Sequence, residues 1–386
     1  MSKDKKEIIR QYPLIMMFFI SIIVVMVADI TAKDRDFSEL ENKVLKQKPK
    51  FSTTSFLSNK WTAEYGEYIK EQFVLRDKWI DLYAFFEEAL FQKEEIGDVL
   101  IGKDNMLFKR LFTLTQAEQQ QARQNIEVMS KFTKAHPGKV TFMLVPTASL
   151  IYAENLPAQA PMYPQEDFIN EVYQEVEQNA EVIDLIPVLK ENKDRYIYYR
   201  TDHHWTTDGA YLAYEAYCKK KHLVPSVYKD RIQVNSFYGS HYSSSRQWHA
   251  KSDELVYYDL PNEMTVYKVL GEDSFEVENT GSLYNTKKLK TMDKYGMFLD
   301  GNNGYSTIKG NGKGSILIIK DSYANCFIPF LVDHYEQIEI IDLRNYNYST
   351  QSLLDKNYED ILVLYNFQSF ISDPFIVNLI RPSSVK

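Results

Sequence analysis

The chain has 386 residues, of which 44% are apolar and 25% charged, and this composition excludes a mostly disordered protein. Its 45 basic and 53 acidic residues give a formal net charge of -8, whereas a nucleic-acid-binding protein usually has a basic surplus. Two cysteines, Cys218 and Cys326, are too few for a disulfide framework or a cysteine-rich zinc site. We interpret both as small buried apolar residues.

The N-terminal segment 13–29 contains the uncharged run PLIMMFFISIIVVMVA, which with its flanking residues approaches the length needed to cross a bilayer. A secretory signal has a shorter apolar region and a small-x-small cleavage site, which Met26-Val27-Ala28 matches poorly. Basic residues flank the run on both sides, so their distribution does not decide its orientation. Because a short tail before one span commonly leads to export of a large remainder, we predict a signal anchor. Residues 1–12 would then form a cytoplasmic tail, and the body of the protein would lie outside the cytoplasm.

Residues 30–95 are predicted to form a connector and a helical stalk. The connector is charged and lysine-rich. Apolar residues then recur at about the 3.6-residue period of a helix, and they are Trp79, Ile80, Tyr83, Phe86 and Leu90. We expect packing to bury this apolar face.

A hairpin and a helix open the main domain, which we predict over residues 96–386. Residues 99–108 are typical of a hairpin that turns around Gly102. Thr115 and Glu118 have the spacing of a capping box, which predicts a helix that runs to about Ala135.

Beyond that helix, short apolar runs alternate with amphipathic segments, the pattern of a parallel sheet covered on both faces. The predicted strands are 140–145, 181–185, 315–319, 337–342 and 360–365. Between the second and third lies a long polar insert, 224–310, which we interpret as irregular or β-rich. Open α/β sheets bind ligands at the carboxyl ends of their strands, so the residues after each strand are candidates for chemistry.

The densest polar cluster is Asp202-His203-His204-Trp205, which precedes a helix predicted at 208–219. An acidic residue two positions before a histidine can hold the imidazole in one tautomer, as a general base requires. Asp202 and His204 fit this arrangement. Two alternatives remain, a structural polar cluster and a metal site, although adjacent histidines point apart and no HExxH or CxxC motif accompanies them.

Strand 315–319 leads into Lys320-Asp321-Ser322 and a predicted helix. A serine at such a junction projects its hydroxyl above the sheet edge, where amides at a helix N-terminus can stabilise an oxyanion. The alternative is a helix cap, for which Asp and Ser are both favoured. Pro329 should kink or shorten this helix.

Two further strand ends carry polar side chains. Thr147 and Ser149 follow strand 140–145 and either line the same crevice or cap the next turn. Arg344 follows strand 337–342 and either binds an acyl oxygen or a charged sugar, or forms a surface salt bridge.

Together these motifs resemble the DHHW family, named for the string Asp202-His203-His204-Trp205, and more distantly the SGNH-like acetyltransferase domains of periplasmic alginate O-acetylation proteins. The likeness is carried by the N-terminal span, residues 37–42, Pro146, Leu156-Pro157, the DHHW string, residues 320–325 and residues 342–344. It implies an α/β fold with an SGNH-hydrolase-like parallel sheet flanked by helices. One N-terminal transmembrane helix and a long irregular or β insert complete the expected architecture.

By this resemblance Asp202, His204 and Ser322 form a catalytic triad. Ordinary SGNH esterases place the serine first, in a Gly-Asp-Ser motif, whereas here it comes last and Lys320 stands in place of that glycine. The oxyanion donors are therefore unassigned. The candidate substrate-binding residues are Arg344, Thr147, Ser149, Tyr323, Asn325, His203 and Trp205.

The resemblance implies a membrane-anchored, extracytoplasmic O-acyltransferase that passes an acyl group, expected to be acetyl, through a serine acyl-enzyme to a cell-surface polysaccharide. A membrane-bound O-acyltransferase would be its acyl donor, and no metal or other cofactor is implied. Two alternatives remain. One is a polysaccharide deacetylase or esterase with the same triad, and the other is a non-catalytic module that binds polysaccharide or scaffolds an assembly.

Overall fold

The computed structural model describes residues 12–41 and 43–383. The predicted cytoplasmic tail, apart from Tyr12, and Asn42 of the 37–42 motif lie outside these residues. The described chain divides into two compact units, of which the first ends at Phe91 and the second begins at Gln92.

The first unit is mostly helical. Its helices are α1 (Pro13–Thr31), α2 (Thr53–Leu57), α3 (Lys60–Gln72) and α4 (Arg76–Phe85), with a π-helical turn at Phe86–Leu90 after α4, and its strands β1 (Phe37–Ser38) and β2 (Lys43–Val44) pair antiparallel. Among the described helices, α1 is the one long and apolar enough to cross a membrane, and none of its side chains is buried. Such a helix is consistent with a signal anchor or a signal peptide.

The apolar face predicted near residue 80 exists, but the expectation that packing buries it is wrong. Trp79, Tyr83 and Leu90 are 46%, 59% and 65% exposed. Helix α4 instead turns Ala84 inward, which is 1% exposed. Periodicity identifies which residues share a face of a helix, but it does not say whether another part of the chain covers that face.

The second unit begins with the predicted hairpin and capped helix, and both are confirmed. Strands β3 (Glu95–Ile96), β4 (Val99–Ile101) and β5 (Leu107–Lys109) pair antiparallel, and α5 (Gln116–Ala135) starts with a capping box between Thr115 and Glu118.

The other helices of the second unit are α6 (Ala148–Ile151), α7 (Gln165–Val176), α8 (Ile186–Glu191), α9 (Thr207–Lys220), α10 (Ser240–Ser245), α11 (Gln351–Leu354) and α12 (Phe367–Ser372). Outside the main sheet, strands β8 (Arg231–Phe237) and β9 (Asp253–Tyr258) pair with each other.

In the described part of the chain, eight strands form the main sheet. They are β6 (Val140–Val145), β7 (Glu181–Val182), β10 (Glu263–Gly271), β11 (Ser274–Ser282), β12 (Tyr305–Lys309), β13 (Ser315–Lys320), β14 (Gln337–Ile341) and β15 (Asp360–Asn366). Their spatial order is β11-β10-β12-β14-β13-β15-β6-β7. From β14 to β7 every neighbouring pair is parallel, so the predicted α/β sheet is confirmed.

The segment interpreted as an irregular or β-rich insert contributes three antiparallel strands, β10, β11 and β12, to this sheet. The sheet is therefore mixed rather than wholly parallel. In β10 the buried residues Met264 and Val266 alternate with more exposed ones, as in an antiparallel strand with one covered face. The predicted strand 181–185 ends earlier, at Val182, because the chain turns into α8, whose first turn contains Pro187.

Strand β13 lies in the interior of the sheet and carries the chain to the candidate site. Ile316 and Ile318 contribute to the core on one face of the sheet, while Leu317 and Ile319 contribute to the core on the other. A strand covered on both faces is an apolar run, which explains why the sequence revealed it. The residues that follow β13 are thus attached to a rigid part of the fold.

Candidate active site

Strand β13 ends in a tight turn that holds Ser322. The predicted helix after this strand is wrong, because the chain forms two short 3-10 turns, Ser322–Cys326 and Ile328–Leu331. Pro329 in the second turn fits the expectation that it shortens the element. Asp321 caps the first turn by accepting a hydrogen bond from the Tyr323 amide at 2.9 Å. Because Asp321 does the capping, the hydroxyl of Ser322 is available for another partner.

The second part of the site is the loop before α9, and a buried carboxylate fixes its shape. Asp253 accepts hydrogen bonds from the amides of Arg200 at 2.9 Å and Thr201 at 2.8 Å, and from the Thr201 hydroxyl at 2.5 Å. Thr206 then caps α9 by accepting from the Gly209 amide. The predicted helix at 208–219 is thereby confirmed within α9. The DHHW string lies between these two anchored points.

The structure brings Asp202, His204 and Ser322 into one hydrogen-bonded chain. The His204 Nδ1–H donates to Asp202 Oδ1 at 2.5 Å, and the Ser322 hydroxyl lies 2.8 Å from His204 Nε2. Asp202 also accepts from the His204 amide at 2.9 Å and from the Ser240 amide at 2.7 Å. All three side chains are buried. The geometry is that of a nucleophile, a general base and the acid that orients the base.

Electrostatics favour the charge states that this arrangement needs. Burial alone would raise the pKa of Asp202, but His203, His204 and the hydrogen bonds to the carboxylate hold that pKa well below its ordinary value. Burial, together with the neighbouring His203, lowers the pKa of His204 to about 4, although Asp202 opposes this shift. At neutral pH the imidazole is therefore uncharged beside an ionised carboxylate, and Nε2 can accept the proton of Ser322.

Tyr295 covers one face of the His204 imidazole, a role that no local motif of the sequence indicates. Its ring stacks on the imidazole with centroids 3.8 Å apart and planes inclined by 12°. The Tyr295 hydroxyl donates to the Ser322 carbonyl at 3.0 Å, and the same oxygen lies 3.3 Å from Cys326 Sγ. Tyr295 comes from the segment predicted as an insert, so three distant parts of the chain form the site.

Two predicted substrate-binding residues, Trp205 and Tyr323, connect the DHHW loop to the serine turn. The Trp205 Nε1–H donates to the Tyr323 carbonyl at 2.9 Å, and the Tyr323 hydroxyl donates to the His203 carbonyl. Both side chains are at most 1% exposed. These contacts position the loops that carry His204 and Ser322.

Two further candidate substrate-binding residues, Asn325 and Arg344, belong to a charged network around Lys320. The buried Lys320 ammonium donates to Asn325 Oδ1 at 2.7 Å and lies 3.5 Å from Asp342. Arg344 binds the same Asp342 through two nitrogens, at 2.8 and 2.6 Å, and its side chain is 32% exposed. Burial would raise the pKa of Asp342, but these two cations keep it below its ordinary value. Arg344 therefore reaches solvent from a fixed position.

The structure does not bring Thr147 and Ser149 to the triad. Their hydroxyls lie 2.8 Å apart, and the Thr147 hydroxyl donates to Gln165 Oε1 at 2.9 Å. Gln165 returns a hydrogen bond to Ser149 at 3.1 Å. These contacts tie the end of β6 to α7, and in the described structure they satisfy both hydroxyls.

Asp202, His203 and His204 also form a potential metal-binding group, with ligand atoms within 4.8 Å of one another. Both nitrogens of His204 already have partners, Asp202 and Ser322, and His203 Nδ1 lies 2.6 Å from the Ser240 hydroxyl. An ion bound to His204 would have to displace Asp202 or Ser322. The donor set therefore fits a hydrogen-bonded triad better than a metal centre.

Comparison with known proteins identifies the family. The family model described as DHHW protein matches residues 92–341, which is more than half of the chain. The chain belongs to the DHHW family. The resemblance inferred from the sequence motifs is thereby confirmed.

Relatives of known name are more distant. This DHHW protein is 24% identical over 168 residues to the probable alginate O-acetylase AlgJ of Pseudomonas putida, a match that covers 42% of the chain and 43% of AlgJ. AlgJ of Pseudomonas fluorescens is 26% identical over 173 residues, which cover 42% of the chain and 44% of that AlgJ. The chain thus spans less than half the length of these curated relatives.

Solved structures share the fold. A DHHW family protein from Eubacterium siraeum has a TM-score of 0.63 and 22% identity, and the match covers 75% of this chain and 97% of that one. Bacillus cereus PatB1, solved with a sulfonyl adduct, has a TM-score of 0.56 and 22% identity, with 72% and 97% covered. The expected α/β fold of this DHHW protein is therefore confirmed.

Proposed function

We propose that this DHHW protein is a polysaccharide O-acyltransferase that works through an acyl-enzyme on Ser322. The observation that carries the proposal is the chain of hydrogen bonds from Asp202 through His204 to the Ser322 hydroxyl. A neutral imidazole, oriented on one side and bonded to a serine on the other, is the arrangement that activates a hydroxyl nucleophile.

The reaction proceeds in two half-reactions. His204 Nε2 takes the proton of Ser322 while its oxygen attacks the carbonyl carbon of an acyl ester or thioester donor. The donor's bond to the acyl carbon breaks, and the leaving group takes the proton from His204. A sugar hydroxyl then loses its proton to His204 and attacks the acyl-serine. The new ester forms, the bond to Ser322 breaks, and the serine oxygen recovers the proton.

The names of the matched relatives support acetyl as the acyl group and a polysaccharide as the acceptor. The curated relatives bear the name probable alginate O-acetylase. Two of the candidate substrate-binding residues have partly exposed side chains, with 37% of His203 and 32% of Arg344 exposed. His203 is next to the triad residue His204 in the chain, and Arg344 belongs to the charged network around Lys320. We assign these two residues to contact the acyl donor or the sugar.

We further propose that the second unit lies outside the cytoplasm, anchored to the cell membrane. Helix α1 acts as a signal anchor that holds the second unit outside the cytoplasm, where a membrane-bound O-acyltransferase supplies the acyl group. The length and composition of α1 support this assignment. The acceptor is then a polysaccharide of the cell surface.

The full-length protein in detergent, exposed to p-nitrophenyl acetate and analysed by intact mass, tests the acyl-enzyme. We expect one added acetyl group that maps to Ser322 and disappears in Ser322→Ala and His204→Ala. Ser149→Ala is the matched control, because it removes a buried hydroxyl that contacts Gln165 rather than His204. An acetyl group retained in folded Ser322→Ala would refute the mechanism.

Transfer is distinguished from hydrolysis by the fate of the acetyl group. Acylated enzyme is mixed with acetyl-free polysaccharide fragments, and released acetate and sugar esters are both quantified. An O-acyltransferase esterifies the fragments faster than it releases acetate. Acetate release unaffected by every fragment would instead establish an esterase.

A further inference from the structure

The first unit carries an apolar surface that the proposed acyl transfer does not use. Exposed apolar residues recur every three or four positions along α4 and its two ends, and they are Leu75, Trp79, Leu82, Tyr83, Phe86 and Leu90. We call this set the α4 stripe. It adjoins a shallow groove of about 460 Å³ lined by Ile69 and Phe73 as well as Trp79. Removing such side chains from water is favourable, so a patch of this kind marks a contact surface.

Hydrogen bonds within the first unit place the start of this stripe at the end of α1. Asp29, in the last turn of α1, accepts from the Val74 amide at 2.9 Å. Just after α1, the Arg35 guanidinium donates to Asp77 at 2.8 Å, and the Arg35 amide donates to Gln72 at 2.9 Å. The junction between α3 and α4 is therefore hydrogen-bonded to the C-terminal end of α1 and to the residues just after it.

The length of α1 sets the depth of that junction. Helix α1 has 19 residues, which at 1.5 Å per residue span about 28 Å, close to the roughly 30 Å of a bilayer's hydrocarbon core. When α1 crosses a bilayer, Asp29 lies where hydrocarbon meets headgroups. Val74 lies at the same level because it is hydrogen-bonded to Asp29. Leu75 follows directly, and Trp79 comes about one helical turn later.

We propose that the α4 stripe inserts into the headgroup region of the lipid bilayer, so that the first unit contacts the membrane through α4 as well as α1. The inference rests on the membrane anchoring proposed above. Trp and Tyr are the side chains enriched at this level of a membrane, and amphipathic helices bind there through an apolar face. Two points of contact would fix the orientation of the first unit on the membrane, whereas a lone span leaves it free to rotate.

The test uses the full-length protein in phosphatidylcholine nanodiscs, with a nitroxide label at single introduced cysteines. The native Cys218 and Cys326 are fully buried, so the unmodified protein provides the labelling blank. Labels at Trp79→Cys and Tyr83→Cys should collide with oxygen, which concentrates in lipid, and be shielded from a water-soluble nickel chelate. Lys60→Cys is the matched control, because it is a polar position on α3 with a 71% exposed side chain. Its label should show the opposite preference.

A label at Ile22→Cys, in the middle of α1, separates the two proposals. The label at residue 22 contacting lipid would support the membrane anchor. If the labels at residues 79 and 83 were then as accessible to the nickel chelate as the label at residue 60, the contact between α4 and the membrane would be refuted. Labels at 79 and 83 shielded from both oxygen and nickel would also refute it, since protein would then cover the stripe. An Ile22 label in water would overturn the anchoring and, with it, this inference.

Discussion

The aromatic ring of Tyr295 lies flat on the imidazole of His204, with 3.8 Å between the ring centroids. Because the Tyr295 hydroxyl also donates to the Ser322 carbonyl, one side chain contacts the backbone of the proposed nucleophile and the ring of its base. We infer that Tyr295 is a positioning residue for both.

Removing the ring should cost more than removing the hydroxyl. We expect Tyr295→Phe to keep the stack and to acylate within about threefold of the wild-type rate, whereas Tyr295→Leu should lose roughly tenfold, since aromatic pairs contribute about 0.5–1.5 kcal/mol. Stopped-flow acylation with p-nitrophenyl acetate measures both rates, and thermal unfolding checks that each variant is folded. Equal rates in the two variants would contradict a role for the stack. A positioning role also predicts that imidazole added to Tyr295→Leu leaves the rate unchanged, because His204 is still present.

The carboxylate of Asp202 should matter through the tautomer of His204. Asp202→Asn keeps the shape but removes the ionised acceptor for the Nδ1–H, and we expect acylation to fall by about 10³- to 10⁴-fold. NMR of the histidine ring protons would report the tautomer directly. An Asp202→Asn protein that retains the Nδ1–H tautomer and loses little activity would show that the backbone alone orients the ring.

The low pKa of His204 predicts activity in mildly acidic solution. A free histidine would be protonated below about pH 6.5, but burial lowers the pKa of His204 to about 4. The acid limb of the kcat/KM profile should therefore have its midpoint near pH 4. A midpoint near pH 6.5 would mean that the imidazole is not held neutral.

The same shift predicts how stability changes with pH. Between about pH 6.5 and pH 4 the unfolded chain binds a proton at residue 204 that the folded chain does not bind, so the free energy of unfolding falls as the pH falls. The loss from this group is on the order of 3 kcal/mol. Urea unfolding at several pH values should show a smaller loss in His204→Gln than in the wild type. Parallel curves for the two proteins would contradict the shift.

Gly239 should tolerate no side chain, because its backbone approaches Asp202 closely. A Cβ added there would lie 2.1 Å from Asp202 Cβ and 2.3 Å from Asp202 Oδ2. We expect Gly239→Ala to displace Asp202, to destabilise the protein by about 1–3 kcal/mol and to slow acylation. Gly281→Ala is the control, since a Cβ at residue 281 meets nothing within 4 Å. Similar acylation rates for the two variants would show that Asp202 adapts.

The features that could be predicted from the sequence are local ones. Strand β13 is a continuous apolar run because both of its faces are buried, and Asp202 and His204 are near neighbours whose chemistry suggests a pair. The contact of this pair with Ser322 could be predicted only from the order of several motifs along the chain, because His204 and Ser322 are 118 positions apart.

Other features depend on tertiary packing. Tyr295 is one of 28 tyrosines, and nothing in its neighbours indicates that it stacks on His204. The strands β10 and β11 contain many exposed polar residues, so their polarity concealed their place in the main sheet. For the α4 stripe, the sequence shows the helical periodicity of the apolar residues but does not show what contacts them.

The paired contacts between Trp205 and the Tyr323 carbonyl, and between Tyr323 and the His203 carbonyl, determine when the proposed nucleophile and its base come together. The two loops come from parts of the chain 118 positions apart and meet only in the folded protein, so in an unfolded chain Ser322 has no base beside it and is an ordinary alcohol. Under the proposed mechanism, a newly made or unfolded chain would therefore not capture acyl groups. The proposed reactivity of Ser322 would then depend on complete folding of the second unit.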